Sequence, residues 1–123
     1  MNIALQKLEQ ALRSLEAALT PPPRNDRERD GAIQRFEYTF ETAWKTAQRR
    51  LKAEGIDAAS PREVIREMGR LGWIASVEDW LDFLEKRNLT SHLYNESVAL
   101  SVWQAVPRFS ACARDLLDRF QRP

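Results

Sequence analysis

The chemically richest part of the sequence is residues 87–96, RNLTSHLYNE. This stretch combines a guanidinium, a phenol, two hydroxyls and two amides with the only histidine of the chain, His92. The planar fork of Arg87 matches a phosphate, and a neutral His92 can take a proton from a ribose 2′-hydroxyl. Such a pair suits metal-independent RNA cleavage that ends in a 2′,3′-cyclic phosphate, with Arg87 stabilising charge at phosphorus. Alternatively, these polar side chains only cap helices and shape a junction.

The spacing of these residues limits how their side chains can meet. Arg87 and Tyr94 are seven residues apart and share one face of an ideal helix, whereas Arg87 and His92 diverge by roughly 140°. One unbroken helix would therefore not direct both catalytic groups to one point. Either the helix breaks near Ser91, or each site takes its Arg and its His from two copies of the chain across a twofold axis.

Other kinds of site have little support in the sequence. One cysteine and one histidine cannot build a zinc site of Cys/His type, no carboxylate cluster for two metals is apparent, and the usual nucleotide-binding motifs are absent. We therefore expect no metal and no cofactor. Cys112 lies in an apolar helical stripe and is predicted to be a small buried residue. Glu37 and Glu41 are four residues apart, and the basic residues Arg35 and Lys45 beside them favour an ion-paired surface.

The overall charge of the chain is nearly balanced. Its 123 residues include 19 Lys and Arg against 18 Asp and Glu, a formal charge of +1. Proteins held on a polyanion by bulk charge have a clear basic excess, so any anion site here must be small and local. The N-terminal sequence lacks the pattern of a signal peptide, and no apolar run approaches the ~20 residues that span a bilayer. We expect one domain over residues 1–123, located in the cytoplasm and without a membrane contact.

Apolar residues recur with helical spacing along almost the whole chain, and the pattern predicts five helices. The first helix carries leucines at 3-4 spacing and ends at the three prolines of residues 21–23. Residues 24–30 alternate in charge, which predicts a solvated loop that could alternatively contact a partner enzyme. The second helix is long and is predicted to end at Gly55.

Capping signals locate the other three helices. A Ser-Pro pair beginning at Ser60 predicts the start of a short third helix, which Gly72 ends. Ser76 opens the fourth helix, and Asn95 or a neighbour opens the fifth. Pro107 lies inside the fifth apolar pattern and predicts a kink. No segment alternates with period two, so the predicted fold class is all-α, an antiparallel up-and-down bundle of about five helices.

The polar segment resembles a known motif. The spacing Arg87-x4-His92 resembles the R-x4-6-H motif of HEPN domains, and with Asn88 it matches the common R-N-x3-H form. With Tyr94 added, it is similar to the R-x4-H-x-Y signature of the HepT-type toxins encoded beside minimal nucleotidyltransferase (MNT) antitoxins. Residues 30–45 resemble the long second helix of the nucleotidyltransferase substrate-binding proteins of the same superfamily. The resemblance also includes residues 60–67 and covers most of the chain.

This resemblance implies an antiparallel helical bundle that forms a homodimer with a composite cleft, and a partner MNT. In the toxin–antitoxin branch, the HEPN protein is an RNase toxin whose RNA cleavage depends on the residues that Arg87 and His92 match. Asn88 and Ser91 would bind or position phosphate. The MNT would transfer AMP from ATP to Tyr94 and so neutralise the toxin, because an anionic, bulky group would occupy the place of an RNA phosphate.

Two other interpretations use the same residues. In the first, the protein is a non-catalytic module that presents a substrate or nucleotide to the nucleotidyltransferase, and Arg87 and His92 bind phosphate without cleaving anything. In the second, the polar stretch only shapes a dimer interface. The sequence contains no feature that separates binding from cleavage, because both need the same groups.

Overall fold

A computed structural model describes residues 2–122 of the chain and contains five α-helices. They are α1 (Ile3–Leu19), α2 (Asp26–Ala53), α3 (Pro61–Arg70), α4 (Val77–Asn88) and α5 (Glu96–Gln121), with a 3₁₀ turn at Thr90–His92. Residues 2–122 include no β-strand. The predicted fold class, an all-α antiparallel bundle of five helices, is confirmed.

Every helix begins at a side chain that accepts a backbone N–H, as polar N-caps do. The five capping residues are Asn2, Asn25, Ser60, Ser76 and Asn95. The predicted starts at Ser60, Ser76 and Asn95 are therefore confirmed. Two helices end at the predicted glycines, whose positive φ of 78° and 74° few other residues adopt without strain.

Five aromatic rings from three helices form the centre of the core. Phe109 of α5 is surrounded by two rings from α2, Phe36 and Phe40, and two rings from α4, Trp80 and Phe83. The centroids of these four rings lie 5.0 to 6.0 Å from that of Phe109. All five side chains are buried. Three of these four contacts are edge to face and that of Phe40 is tilted. Such contacts add to the stabilisation from apolar burial, and they fix α4 and α5 against the long helix α2.

The predicted solvated loop at residues 24–30 is wrong from Asp26 onward. Asn25 caps α2, and Asp26 and Glu28 lie in the first turn, where acidic side chains interact favourably with the helix dipole. Arg29 is buried, and its guanidinium forms two hydrogen bonds to Glu96 on α5, at 2.8 and 3.1 Å. The alternating charges thus belong to the first turns of α2, and one of these side chains, Arg29, faces α5.

Other expectations had mixed outcomes. The α5 helix continues through Pro107 from Glu96 to Gln121. Cys112 is only half-buried rather than fully buried, although it packs against the core and burial raises the pKa of its thiol. Among residues 2–122, no helix combines the length and apolar character that a bilayer crossing requires.

Candidate functional site

The segment between α4 and α5 carries the predicted site residues. The α4 helix ends at Asn88, and a 3₁₀ turn follows at Thr90–His92. The backbone N–H of His92 donates to Leu89 at 2.9 Å, and that of Asn95 donates to His92 at 3.1 Å. The helix therefore breaks where one of the two sequence alternatives placed the break, near Ser91.

Arg87 is held by the long helix α2. Its Nη2 donates to the carboxylate of Glu41, and its Nη1 donates to Oδ1 of Asn88 at 3.1 Å. Lys45 lies 3.6 Å from the other oxygen of the same carboxylate. About a third of the Arg87 side chain is exposed, as is a quarter of Glu41. Because the carboxylate of Glu41 on α2 accepts a hydrogen bond from Arg87 on α4, it orients the guanidinium and offsets its charge.

A second carboxylate of α2 holds the turn itself. The Thr90 hydroxyl donates to Glu37, and it also lies 2.7 Å from the carbonyl oxygen of Arg87. The expected ion-paired surface is confirmed for Glu41 with Lys45, but Arg35 instead contacts α1 and its own helix. Sequence reasoning did not assign Glu37 or Glu41 to the site, although their i,i+4 spacing on the long helix was visible.

His92 and Tyr94 form an exposed pair on the other side of the turn. Nδ1 of His92 lies 3.3 Å from the phenol oxygen of Tyr94, and the two rings meet edge to face with centroids 5.9 Å apart. Tyr94 is 86% exposed, the highest value among the exposed large hydrophobic side chains of residues 2–122. Ser91 and Asn88 are also exposed. A ligand, another protein or a second copy of the chain can therefore reach these side chains.

The break in the helix does not join the two predicted catalytic groups by a hydrogen bond within the described part of one chain. Arg87 bonds to Glu41 and Asn88, whereas His92 bonds to Tyr94, and residues 2–122 include no hydrogen bond between Arg87 and His92. The described part of the chain also brings together no group of three His, Cys, Asp or Glu side chains that could hold a metal ion.

An ion pair fixes the start of α5 beside this segment. Arg29 donates to both carboxylate oxygens of Glu96, and it also donates to Asp30 at 3.1 Å. Hydrogen bonding from Arg29 lowers the pKa of Glu96, and hydrogen bonding from Glu96 raises the pKa of Arg29. The pair anchors the end of the 87–96 segment on α2, so both ends of the segment are attached to the same helix.

Comparison with known proteins agrees with this architecture. The family model described as nucleotidyltransferase substrate binding protein like matches residues 3–122, and the chain belongs to this family. A curated relative from Haemophilus influenzae, named probable ribonuclease HepT, is 30% identical over 97 residues. That alignment covers 75% of this chain and 66% of the relative, so the chain spans just under two thirds of the length of that relative.

Two solved structures share the fold. A protein from Thermus thermophilus is 38% identical, with a TM-score of 0.87 over 94% of this chain and 99% of that one. A Haemophilus influenzae protein is 28% identical, with a TM-score of 0.86 over 96% of this chain and 99% of that one. The structure of the second protein is described as revealing the fold of a substrate binding domain of a nucleotidyltransferase.

Proposed function

We propose that this protein is the HEPN toxin of an MNT/HEPN toxin–antitoxin pair, a metal-independent endoribonuclease that uses Arg87 and His92. The observation that carries the proposal is the arrangement of the 87–94 segment. Arg87 is oriented from α2 by Glu41, while His92 stands exposed on the adjoining turn. The name of the Haemophilus influenzae relative, probable ribonuclease HepT, supports the same activity.

The proposed reaction needs only a proton acceptor, a proton donor and a cation. His92 takes the proton of a ribose 2′-hydroxyl, and the freed oxygen attacks the adjacent phosphorus. The bond from phosphorus to the 5′-oxygen breaks, and that oxygen receives a proton from an imidazolium. Arg87 stabilises the charge that accumulates on the phosphate oxygens. Asn88 and Ser91, exposed beside the two catalytic groups, hold the phosphate in place.

The proposed active site is composite and is shared by two protomers. Within the described part of one chain, Arg87 and His92 have different hydrogen-bond partners and form no hydrogen bond to each other. A twofold axis near the turn would bring the Arg87 of one protomer to the His92 of its partner and would form the second site by the same operation. The exposure of His92 and Tyr94 leaves this face open to a second copy.

Tyr94 is the proposed regulatory residue. Its phenol gives up its proton to solvent as the oxygen attacks the α-phosphorus of ATP in the partner MNT; the bond from that phosphorus to the α,β-bridging oxygen breaks, and pyrophosphate leaves. The product carries an anionic phosphodiester on the atom that now lies 3.3 Å from His92 Nδ1. That group would occupy the position of the RNA phosphate and repel it. The 86% exposure of Tyr94 makes the phenol accessible to another enzyme.

A second candidate function is a non-catalytic subunit that presents a substrate or nucleotide to the nucleotidyltransferase. The ion pair between Arg87 and Glu41 favours it, because a neutralised guanidinium stabilises a transition state less than a free one does. The Haemophilus influenzae structure described as a substrate binding domain also supports this function. Binding alone would not require His92 to transfer a proton.

Expression of the chain alone tests cleavage directly. Wild-type protein should arrest growth and cleave RNA without added metal, and His92→Ala should do neither. Gln104→Ala is the matched control, since Gln104 is an exposed side chain on α5 away from the turn. Equal growth and intact RNA with wild type and His92→Ala would favour the binding subunit and refute the nuclease.

Incubation with the MNT and ATP tests the proposed regulation. The chain has only two tyrosines, and both are exposed, Tyr38 at 59% and Tyr94 at 86%. Intact mass should increase by one or more AMP groups in wild type and in Tyr38→Phe, but not in Tyr94→Phe. Modification that persists in Tyr94→Phe, or an unchanged mass of the wild type, would contradict AMP transfer to Tyr94.

A further inference from the structure

A second concavity lies beyond the C-terminal end of α2, away from the 87–94 segment, which α2 holds near its middle at Glu37 and Glu41. It has a volume of about 800 Å³ and is formed where the C-terminal ends of α2 and α5 meet the N-terminal end of α1. Arg49 and Arg50 line it from α2, and Arg119 and Arg122 line it from the end of α5. Glu54 is the one carboxylate among the described lining residues.

The four arginines of this concavity, which we call the arginine cleft, differ from most other arginines of the protein. Among residues 2–122, seven arginines form ion pairs with carboxylates elsewhere in the fold, at positions 13, 24, 29, 70, 87, 108 and 114. Within residues 2–122, none of the four cleft arginines forms an ion pair. Four guanidinium groups without an ion-pair partner outnumber the single lining carboxylate, Glu54, and so create a local positive potential in a chain of net charge +1.

Aromatic side chains line the same cleft. Trp73 and Phe120 are among the lining residues, and their rings meet edge to face with centroids 5.4 Å apart. The guanidinium of Arg50 stacks over the ring of Phe120 at 4.5 Å, which holds it in place by a cation–π contact. Trp73 is only partly buried. The guanidinium groups can bind phosphates, and the accessible indole can stack on a planar base. Sites for single-stranded nucleic acids combine these two kinds of contact.

The position of the cleft fits an extended ligand. Glu41, which holds Arg87, and Arg50 are nine residues apart on α2, so they are separated by about 13–14 Å along the helix axis. That span corresponds to only a few nucleotides of a single strand. The cleft is open to solvent where three helix ends meet, so a strand can cross it without being enclosed.

We propose that the arginine cleft is a binding site for the phosphodiester backbone of single-stranded RNA, separate from the cleavage residues. The proposal rests on the proposed ribonuclease function, since it assigns the cleft to the substrate of that enzyme. Phosphate chemistry is favoured over an acidic protein surface because the cleft is concave and presents an aromatic ring beside its cations. The near-neutral chain thereby gains RNA affinity from one local site rather than from its overall charge.

Fluorescence anisotropy with a labelled single-stranded RNA tests the proposal in the full chain carrying His92→Ala. In that background, Arg49→Glu with Arg119→Glu should weaken RNA binding by about tenfold or more. The matched control is Arg62→Glu with Arg66→Glu, which changes the same charge on two exposed α3 arginines. Circular dichroism of each variant should match that of the parent, so that a change in affinity reports on the cleft.

Salt dependence gives an independent readout. Four phosphate contacts to a single strand predict a slope of about −3 when the logarithm of the association constant is plotted against the logarithm of the salt concentration. Removal of two contacts predicts a slope of about −1.4. Equal affinities and equal slopes for the cleft variant and the α3 control would overturn the proposal. Binding of ATP or inorganic triphosphate with the same arginine dependence, without RNA binding, would reassign the cleft to a free nucleotide and overturn it too.

Failure of this proposal differs from failure of the nuclease. If the wild type cleaves RNA but the cleft variant binds and cleaves normally, the cleft has no role and the nuclease stands. If RNA binds through the cleft but the wild type cleaves nothing, the cleft proposal holds for a binding protein and the nuclease is refuted. Loss of binding to a purified MNT in the cleft variant, with RNA binding intact, would assign the cleft to a protein partner instead.

Discussion

The close approach of α3 to α4 allows a quantitative test of the packing that positions the site-bearing helix. A Cβ added at Gly69 would lie 2.1 Å from Cγ2 of Val77, far inside the contact distance of about 3.5–4.0 Å for two carbon atoms. Val77 is the first residue of α4 and packs against the core. Its branched side chain has little rotameric freedom with which to move away.

Two effects of opposite sign decide the stability of Gly69→Ala. Alanine is a better helix former than glycine by about 1 kcal/mol, whereas overpacking in a well-packed region costs about 1–3 kcal/mol. At 2.1 Å the steric effect exceeds the propensity effect, so we expect a net destabilisation of about 1 kcal/mol. The background Val77→Ala removes Cγ2 and leaves Cβ at an ordinary 3.6 Å. In that background, Gly69→Ala should instead stabilise the protein by up to about 1 kcal/mol.

Urea unfolding of the four proteins of this double-mutant cycle measures the effect. Gly69→Ala should lower the unfolding midpoint in the wild-type background and raise it in the Val77→Ala background, without a change in m value. The coupling between the two positions should be about 2 kcal/mol. A higher midpoint for Gly69→Ala in the wild-type background, or the same sign in both backgrounds, would refute the steric account of this helix contact.

Two further predictions concern ion pairs around the candidate site. The pKa of Glu96 is lowered by its hydrogen bonds from Arg29; the pair therefore stabilises the protein above about pH 4.3, and this contribution is lost as the pH falls through the folded pKa. The free energy of unfolding between pH 3 and pH 7 should accordingly depend less on pH in Glu96→Gln than in the wild type. An unchanged pH profile would contradict this prediction. So would the same change in the control Glu78→Gln, which replaces an exposed carboxylate. Glu41→Gln leaves the half-buried cation of Arg87 without its carboxylate and should lower the free energy of unfolding in urea by about 1 kcal/mol. If the ion pair accounts for this loss, Glu41→Gln should cost nothing further in a protein that already carries Arg87→Gln.

Local signals in the sequence were sufficient to predict most of the fold. The start of α3 at Ser60 and of α4 at Ser76 follow from capping side chains within three residues of the groups they satisfy. The end of α2 follows from the positive φ of Gly55. Such features depend on near neighbours in the chain, which is why a single sequence reveals them.

Long-range polar pairs could not be predicted in the same way. Arg29 pairs with Glu96, 67 residues away, and Arg87 pairs with Glu41, 46 residues away. The local alternation of charge suggested that Arg29 lies in a solvated loop. The neighbouring basic residues suggested that Glu41 forms a surface ion pair with Lys45. Which arginine meets which carboxylate depends on how the helices pack. The arginine cleft, formed by three helix ends, arises from packing in the same way.

Mixing two inactive variants shows whether the ribonuclease site is shared by two protomers. Arg87→Ala and His92→Ala should each lack RNA cleavage when assayed alone. After subunits are exchanged at equal concentration, about half of the dimers are mixed, and each mixed dimer holds one intact site made of Arg87 from one protomer and His92 from its partner. With a shared site, cleavage should return to about a quarter of the wild-type rate in the mixture. Cleavage that stays at background after verified subunit exchange, with an active wild type, would contradict it.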